Sequence, residues 1–422
     1  MNWNTLRIPV AALLLSALAL PAHAAERAAT APSPQPISIA AERPAFPDAP
    51  PRAINEKAIR EVSLRVADAY AAPRVAPIPP DTPILGTAVA TEEQMAAFIT
   101  RRNPKPKLNA SVAELVHFYY EEGAREGIRG DIALCQALKE TGFFTYGGDV
   151  SPAQNNFCGL GATGNHEPGA LFATPALGVR AHIQHLKAYA TSEPPVTPLV
   201  DPRYTHVKQY RPDVFGKIAT WRGLNGVWAV PGKEYGEQIL ALWQEATRPD
   251  ASERSLAAAE ERVHRAPESM DAYLYRGSVH YYRGDYARAL ADFQKAAGGK
   301  TVSTDTLFDR ALAEEKAGNT ARAQKTYARL LKEAPSDAGA RYNRARLLLA
   351  AKKYDDALRE LSPLLKDNPK EANAENLLAV ASIGKKDYQG AWLALAKAAE
   401  LSPSNMDILA NQFILEACLI RP

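Results

Sequence analysis

The spacing of apolar residues between about 86 and 246 is helical and interrupted. Short apolar runs with a period near 3.6 alternate with loops rich in glycine, asparagine and proline. Ser111 and Glu114 stand three residues apart, the spacing of a capping box at the start of a helix. Long alternating strand patterns are missing from this region, so we predict a mostly α domain with helices over 111–126, 131–140, 177–190 and 234–246.

From about residue 250 onwards, a pattern of small and large apolar residues recurs every 34 residues. Small residues recur in two columns, large apolar residues in a third, and prolines close the units; the columns are Gly277/Ala311/Ala345/Ala379, Ala289/Ala323/Ala357/Ala391, Phe293/Tyr327/Leu361/Leu395 and Pro335/Pro369/Pro403. Small residues let paired helices approach closely, and a proline ends the second helix of each pair. The pattern resembles tetratricopeptide repeats, which implies an α-solenoid with a concave face for protein partners.

The boundaries of the array follow from the same register. A half repeat over 252–266 precedes the first complete unit, and 406–420 is the expected closing helix. We therefore assign 250–422 to the repeat array. Residues 86–248 form the preceding domain, and both parts together make an all-α fold.

The first 85 residues show the pattern of an export signal and a linker. Residues 1–24 combine Arg7, an apolar run and a small-x-small site at Ala22-His23-Ala24, which is typical of a cleaved secretory signal. Residues 25–85 are rich in proline and alanine and predict an extended linker, with a marginal amphipathic helix over 54–70. The expected location is periplasmic or secreted, without a transmembrane anchor in the mature chain.

Composition excludes several classes of protein. The chain has 422 residues, of which 46% are hydrophobic and 23% charged, and its formal net charge is +3. This near balance gives no reason to expect nucleic acid as a partner. Three cysteines, Cys135, Cys158 and Cys418, are too few for a disulfide framework or a zinc site. Cys135 and Cys158 either form one disulfide or remain buried thiols.

Glu140 is the candidate catalytic acid. It ends the apolar run DIALCQALKE and leads into a segment of aromatic residues, glycines and amides. Burial and the negative end of a helix both favour the protonated form of a carboxyl group, so we expect a raised pKa for Glu140. A carboxyl group that stays protonated near neutral pH can act as a general acid in breaking a glycosidic bond.

The residues after Glu140 suit a sugar site. Aromatic rings offer faces for pyranose rings, and amides offer hydrogen bonds to acetamido and hydroxyl groups. Each of these side chains has an alternative role in the core or in holding a loop. The candidate substrate-binding residues are Phe143, Phe144, Tyr146, Gln154, Asn155, Asn156 and Phe157.

The strings ETGFF, GGD, NNF and GLGATG, followed by GVRAHIQHLKAYA, resemble the glucosaminidase domain of bacterial peptidoglycan hydrolases, glycoside hydrolase family 73. The resemblance covers roughly 91–246. It implies a lysozyme-like α fold and cleavage of the bond between N-acetylglucosamine and N-acetylmuramic acid, with Glu140 as general acid. It also implies a late active-site tyrosine, for which we prefer Tyr235 in GKEYGEQILALW over Tyr204.

The identity of a second catalytic group stays open at this point. Glu167 is the candidate second carboxylate that activates water, with a solvated loop acid as the alternative, and Asp149 is a further candidate. Assistance by the substrate's own acetamido group would need no second carboxylate. His182 and His185 lack an acidic partner in any recognised metal motif, so we assign them to packing and surface roles and expect no metal or other cofactor.

The expected function is an exported endo-β-N-acetylglucosaminidase that acts on peptidoglycan glycan strands and binds a protein partner through the repeats. A lytic transglycosylase, which closes an anhydro ring instead of adding water, is one alternative. A catalytically inactive adaptor that binds peptidoglycan is the other.

Overall fold

The structure is a computed structural model that describes residues 53–54, 64–74, 79–148, 150–162, 169–228, 232–298 and 302–420, without the side chains of 53–54 and 418–420. Sixteen α-helices and one pair of two-residue strands lie in these ranges. The all-α prediction is confirmed. Within these ranges, none of the helices combines the length and the apolar character needed to cross a membrane. The predicted signal segment lies outside the described residues.

The first domain contains six α-helices. The predicted capping box at Ser111 and Glu114 is formed at the start of the second helix. Two short 3-10 turns, Pro152–Gln154 and Arg222–Leu224, lie in the loops. The helices are α1 (Glu92–Arg102), α2 (Val112–Glu126), α3 (Gly130–Glu140), α4 (Pro175–Ala190), α5 (Tyr204–Tyr210) and α6 (Tyr235–Ala246).

Helix α3 lies at the centre of this domain. Every residue from Gly130 to Leu138 is buried, so the helix is covered on all sides until its last turn. Gly130 makes this close packing with α2 feasible, because a Cβ atom there would lie 2.3 Å from the carbonyl oxygen of Tyr119. The helix emerges at the surface only at its C-terminus, where Glu140 is the final residue.

The first domain begins before residue 86. Ile84 is fully buried in its core, and the backbone N–H of Ile84 donates to the carbonyl of Ala219 at 2.9 Å. The N–H of Trp221 donates to the carbonyl of Thr82 at 3.1 Å. Residues 79–85, which we assigned to the linker from composition, therefore belong to the first domain and lie at its edge.

The repeat array consists of helix pairs stacked in the predicted register. The half repeat is α7 (Glu253–Arg265), and α16 (Met406–Cys418) closes the stack before a two-residue strand, β2 (Leu419–Ile420). The pairs between them are α8 (Met270–Tyr282) and α9 (Tyr286–Ala296), α10 (Thr304–Lys316) and α11 (Thr320–Glu333), α12 (Ala338–Ala350) and α13 (Tyr354–Asp367), and α14 (Ala372–Gly384) and α15 (Tyr388–Leu401).

The small and large columns of the repeat have the predicted packing roles. The alanines of both small columns are fully buried, and so are Phe293, Tyr327 and Leu361. At Gly277 an added Cβ would lie 2.6 Å from the Phe293 ring, which means that the first repeat uses glycine to admit its large aromatic neighbour. The 34-residue period therefore reflects the closest contacts between paired helices.

A segment of the predicted linker is bound along the array. Residues 64–74, which we call the strap, lie against the first helices of successive pairs, from α16 and α14 near Arg65 to α10 near Arg74. A two-residue strand, β1 (Ala53–Ile54), pairs antiparallel with β2. The helix predicted over 54–70 is not formed over 64–70, where polar side chains of the array bind the backbone in a non-helical conformation.

The two domains are in contact through α1 and α7. Gln94 of α1 donates a hydrogen bond to the Tyr275 hydroxyl of the array at 2.8 Å. The Arg262 guanidinium of α7 lies over the Tyr275 ring at 3.7 Å from its centroid. Since α6 leads into α7 after only a short loop, the array is joined to the helix that carries Tyr235.

Candidate active site

Glu140 and Tyr235 meet where two helix ends converge. Glu140 ends α3, and Tyr235 begins α6 and is buried. Gly236 lets α6 start this close to the Arg222–Leu224 turn, because a Cβ there would lie 2.2 Å from the carbonyl oxygen of Trp221. The Tyr235 hydroxyl donates a short hydrogen bond to Oε1 of Glu140. Two residues 95 positions apart in sequence thus form one hydrogen-bonded pair.

Tyr235 is itself held by a buried series of hydrogen bonds. Gln136, one turn before Glu140 on α3, donates from Nε2 to the Tyr235 hydroxyl at 2.8 Å. The Oε1 atom of Gln136 lies 3.0 Å from Nε2 of His182, and Nδ1 of His182 lies 2.9 Å from the Tyr119 hydroxyl. We call this series, Tyr119–His182–Gln136–Tyr235, the polar relay. It connects α2, α4, α3 and α6 to one carboxylate.

The donors of the polar relay all point toward Glu140. Because Gln136 gives an N–H to Tyr235, its oxygen faces His182 and requires a proton on Nε2. Burial, with a contribution from the neighbouring His185, lowers the pKa of His182 to about 3, so the ring is neutral and its Nδ1 accepts from Tyr119. The relay therefore fixes the His182 tautomer and the Tyr235 hydroxyl together.

The protonation of Glu140 reflects two opposing effects. Loss of water around the carboxyl group raises its pKa, and the Tyr235 hydrogen bond and Lys139 oppose that rise without cancelling it. Glu140 is exposed to the cleft, whereas the sequence predicted a buried or half-buried acid beside a groove. The walls of the cleft displace bulk water around the carboxyl group without covering it. Since Oε1 accepts from Tyr235, the proton of a neutral Glu140 belongs on Oε2.

A cleft runs along both sides of Glu140. The larger half has a volume of about 540 Å³, and the smaller half, on the Tyr235 side, has a volume of about 260 Å³. Glu140 lines both halves. The larger half is lined by Tyr146, Asn156, Cys158, Trp228 and several glycines, and the smaller half by Lys139, Glu234 and Gln238. Glu140 is therefore the residue at which the two halves of the cleft meet.

Only some of the predicted sugar-binding residues reach this cleft. Tyr146 and Asn156 line it, although the Asn156 side chain also bonds to the backbone of Leu160 in both directions. Phe143 packs against Phe98 at 5.6 Å between ring centroids and lies below Arg102.

The structure corrects the prediction for Phe144, Phe157, Gln154 and Asn155. Phe144 and Phe157 pack edge to face in the core, and Gln154 caps the turn at Ser151. Asn155 bonds to the Phe172 carbonyl. These four buried side chains stabilise the wall of the cleft, and residue type alone does not distinguish that role from contact with substrate.

Three important residues were missed by sequence reasoning. Trp228, in the glycine-rich loop GLNGVWAVPG, lines the cleft and contacts the rings of His182 and His185. An aromatic residue in such a loop is a usable signal for sugar binding. No sequence signal identified Gln136 and His182, because their role depends on contacts between helices. His182, which we assigned to packing, also belongs to the polar relay. His185 is buried, and its Nδ1 atom lies 2.9 Å from the Asp201 carboxylate.

The second catalytic group is not assigned by the described residues. Glu167 and Asp149 both lie outside them. Within the part of the chain that is described, Glu234 is the carboxylate that shares the cleft lining with Glu140. Tyr204, the competing tyrosine, packs against Phe215. Cys135 and Cys158 are buried free thiols, and the described residues contain no group of three potential metal ligands.

Comparisons with known proteins agree with this division of the chain. A glucosaminidase family model, described as mannosyl-glycoprotein endo-beta-N-acetylglucosaminidase, matches residues 116–248. Tetratricopeptide repeat models match residues 244–301 and 314–381. The chain therefore contains a glucosaminidase domain followed by tetratricopeptide repeats.

Individual relatives cover smaller parts of the chain. An uncharacterized protein of Borreliella burgdorferi is 38% identical over 137 residues, which are 32% of this chain and 64% of that protein. Among solved structures, YrrB, a TPR protein with an unusual peptide-binding site, is 22% identical with a TM-score of 0.35 and covers 38% of this chain and 83% of its own. MamA 41-end from Desulfovibrio magneticus RS-1 is 24% identical with a TM-score of 0.34 and covers 35% of this chain and 84% of its own.

Proposed function

Starting from the glucosaminidase domain, we propose that this chain is an exported endo-β-N-acetylglucosaminidase that hydrolyses the β-1,4 bond between N-acetylglucosamine and N-acetylmuramic acid in peptidoglycan. The observation that carries this proposal is the position of Glu140 between the two halves of the cleft, with Tyr235 bonded to one of its oxygens. The signal pattern of residues 1–24 supports a periplasmic or secreted location.

In this proposal Glu140 is the general acid. Its raised pKa favours the protonated form, and that proton passes to the glycosidic oxygen as the bond to the leaving sugar breaks. Tyr235 holds the carboxyl group by Oε1, so the Oε2 proton keeps a fixed direction. Trp228 and Tyr146 supply aromatic faces for sugar rings in the larger half of the cleft.

Attack at the sugar carbon is compatible with two routes in this geometry. A second carboxylate, Glu167 or Glu234, would activate water across the sugar ring. The acetamido group of an N-acetylated substrate would instead attack from within the substrate and leave the protein to supply only the acid and the orienting groups. Both routes use Glu140 in the same role.

Digestion of purified sacculi by the wild type and by Glu140→Gln tests the proposal. We expect the wild type to release fragments with reducing N-acetylglucosamine ends, detected by mass spectrometry, and Glu140→Gln to lose at least about a hundredfold in rate. Glu93→Gln, an exposed position in the first turn of α1, is the matched control and should retain wild-type activity.

Three other results would reject the proposal. Anhydromuramic ends would identify a transglycosylase. Unchanged digestion by Glu140→Gln would remove Glu140 from the mechanism, and binding of sacculi without any digestion by the wild type would leave an adaptor that binds peptidoglycan.

A further inference from the structure

The concave face of the array binds the strap mainly through its backbone. Asn343 donates to the carbonyl of Tyr70 at 3.0 Å, and Asn376 and Asn411 donate to the carbonyl of Arg65 at 3.1 and 2.6 Å. The hydroxyls of Tyr342 and Tyr281 donate to the carbonyls of Ala67 and Ala71 at 2.7 and 2.8 Å. These contacts recognise an extended chain regardless of most of its side chains.

Two side chains of the strap are recognised by the array. The Tyr70 ring packs against Tyr342 at 5.2 Å between centroids, and its hydroxyl donates to Glu371 at 3.3 Å. The Arg74 guanidinium makes a two-pronged contact with Asp337, at 2.8 Å from Nη1 and 2.6 Å from Nη2, and a further bond to Asp305 at 3.2 Å. It also lies over the Phe308 ring at 3.8 Å from the centroid. A planar guanidinium suits this combination of a carboxylate fork and an aromatic face better than an ammonium group does.

The pocket is built for a cation. Asp309 is fully buried and accepts the backbone N–H of Arg74 at 2.7 Å, and its second oxygen has no partner within the described residues. Burial, with a smaller contribution from the neighbouring Asp305, raises the pKa of Asp309, and the hydrogen bond from the Arg74 backbone opposes that rise. Asp305 and Asp337, which both contact the guanidinium, would repel each other without the positive charge that the strap brings.

The array also leaves room for the strap. At Gly339, near the start of α12, a Cβ would lie 3.0 Å from the Phe308 ring, 3.1 Å from Nη2 of Arg74 and 3.2 Å from the Tyr70 ring. Alanine would favour the helix at this position. Glycine therefore leaves room both for the strap and for the Phe308 ring that lies under Arg74.

We propose that this concave face is a binding site for an extended polypeptide segment with a tyrosine four residues before an arginine, and that the strap is its resident ligand. A protein partner presents the same pattern and displaces the strap, with its arginine placed between Asp305, Asp337 and Phe308. The proposal concerns the array alone and does not depend on which glycan bond the glucosaminidase domain cleaves.

Attachment to the same chain gives the strap an advantage over a free segment. Short tethers produce effective concentrations in the millimolar range, so a peptide with a dissociation constant of about 10 µM for the empty groove would bind the wild type about a hundredfold more weakly. A protein partner can therefore displace the strap only if it makes further contacts with the array or if the strap has already left the groove.

Fluorescence anisotropy with a labelled synthetic peptide of residues 64–74 tests the proposal on the full chain. The double variant Tyr70→Ala/Arg74→Ala, which we call the strap-released variant, removes the two recognised side chains and weakens the hold of the array on the strap. We expect it to bind the peptide about a hundredfold more tightly than the wild type. Adding Asp337→Ala should abolish the binding, whereas Asp367→Asn, exposed at the end of α13, is the matched control and should not change it. A peptide with lysine in place of the arginine should bind at least tenfold more weakly.

Gly339→Ala in the strap-released variant separates loss of the site from loss of folding. We expect about tenfold weaker peptide binding with a melting temperature within a few degrees of the parent, since the helix propensity of alanine offsets the contact of its Cβ with Phe308. Equal peptide binding by the wild type and the strap-released variant would overturn the proposal. So would unchanged binding after Asp337→Ala or Gly339→Ala, or full binding by a peptide that lacks the arginine.

Discussion

Replacing Tyr235 by phenylalanine isolates the contribution of one oxygen atom to the candidate active site. The ring at the start of α6 is retained, and the hydroxyl that donates to Glu140 and accepts from Gln136 is removed. Glu140 then loses a donor that favours its charged form, so its pKa must rise further. The buried Nε2 atom of Gln136 is left without this acceptor.

The size of the shift follows from the strength of a hydrogen bond to a charged group, about 1.5–3 kcal/mol, and from the 1.36 kcal/mol that corresponds to one pKa unit. Those values give a rise of about one to two units. Water in the cleft reaches Glu140 and replaces part of the lost bond, so we expect the lower end of that range, about one unit.

Two measurements report the shift independently. In a pH–rate profile on peptidoglycan fragments, a higher pKa of the general acid moves the basic limb of the profile to higher pH, while the maximal rate falls because Glu140 has lost its fixed orientation. Titration followed by 13C NMR of labelled glutamate carboxyl groups, with Glu140→Gln to assign the signal, gives the same pKa without reference to catalysis.

Gln136→Met is the companion variant to Tyr235→Phe, because Gln136 is the residue of the polar relay that donates to the Tyr235 hydroxyl. It retains the Tyr235 hydroxyl and removes the group that orients it, so we expect a smaller upward shift in the pKa of Glu140. A large loss of rate in Tyr235→Phe with no change in the pKa of Glu140 would refute this reasoning. The tyrosine would then act on the substrate and not on the acid.

Two further predictions concern stability. His182 has a pKa of about 3 in the folded protein, whereas an exposed histidine takes up a proton near pH 6.5, so the free energy of unfolding should fall as the pH drops through this window. From pH 6.5 to 4.5 we expect a loss of about 2–3 kcal/mol, measured by urea unfolding with tryptophan fluorescence. His182→Gln should lack this part of the loss. Equal losses in both proteins would contradict the assignment. Gly277→Ala places a Cβ against Phe293, and the resulting cost of about 1–3 kcal/mol outweighs the helix propensity of alanine, so the melting temperature of the array should fall and not rise.

The sequence was most informative where local spacing determines structure. The repeat columns identified the residues at the helix contacts, because each repeat meets the same neighbours as the next and the period makes those contacts visible. The capping box at Ser111 likewise depends on four consecutive residues and is formed.

Predictions that depended on distant contacts were less complete. Phe144 and Phe157 have the chemistry to bind sugar, but packing between helices buried both in the core. The polar relay joins residues from four helices, and no spacing along the chain indicates it. The proline-rich composition before residue 85 could not show that 64–74 has a binding surface elsewhere in the chain.

The strap also determines when the groove can be filled during synthesis. Its residues emerge from the ribosome first, and their partners follow much later: Asp309 is 235 positions beyond Arg74, and Asn411 is 346 positions beyond Arg65. Contacts of such long separation form late in folding. The glucosaminidase domain, encoded between them, therefore has time to fold before the array closes on the strap, and a fully occupied groove marks a chain that has been synthesised at least as far as α16.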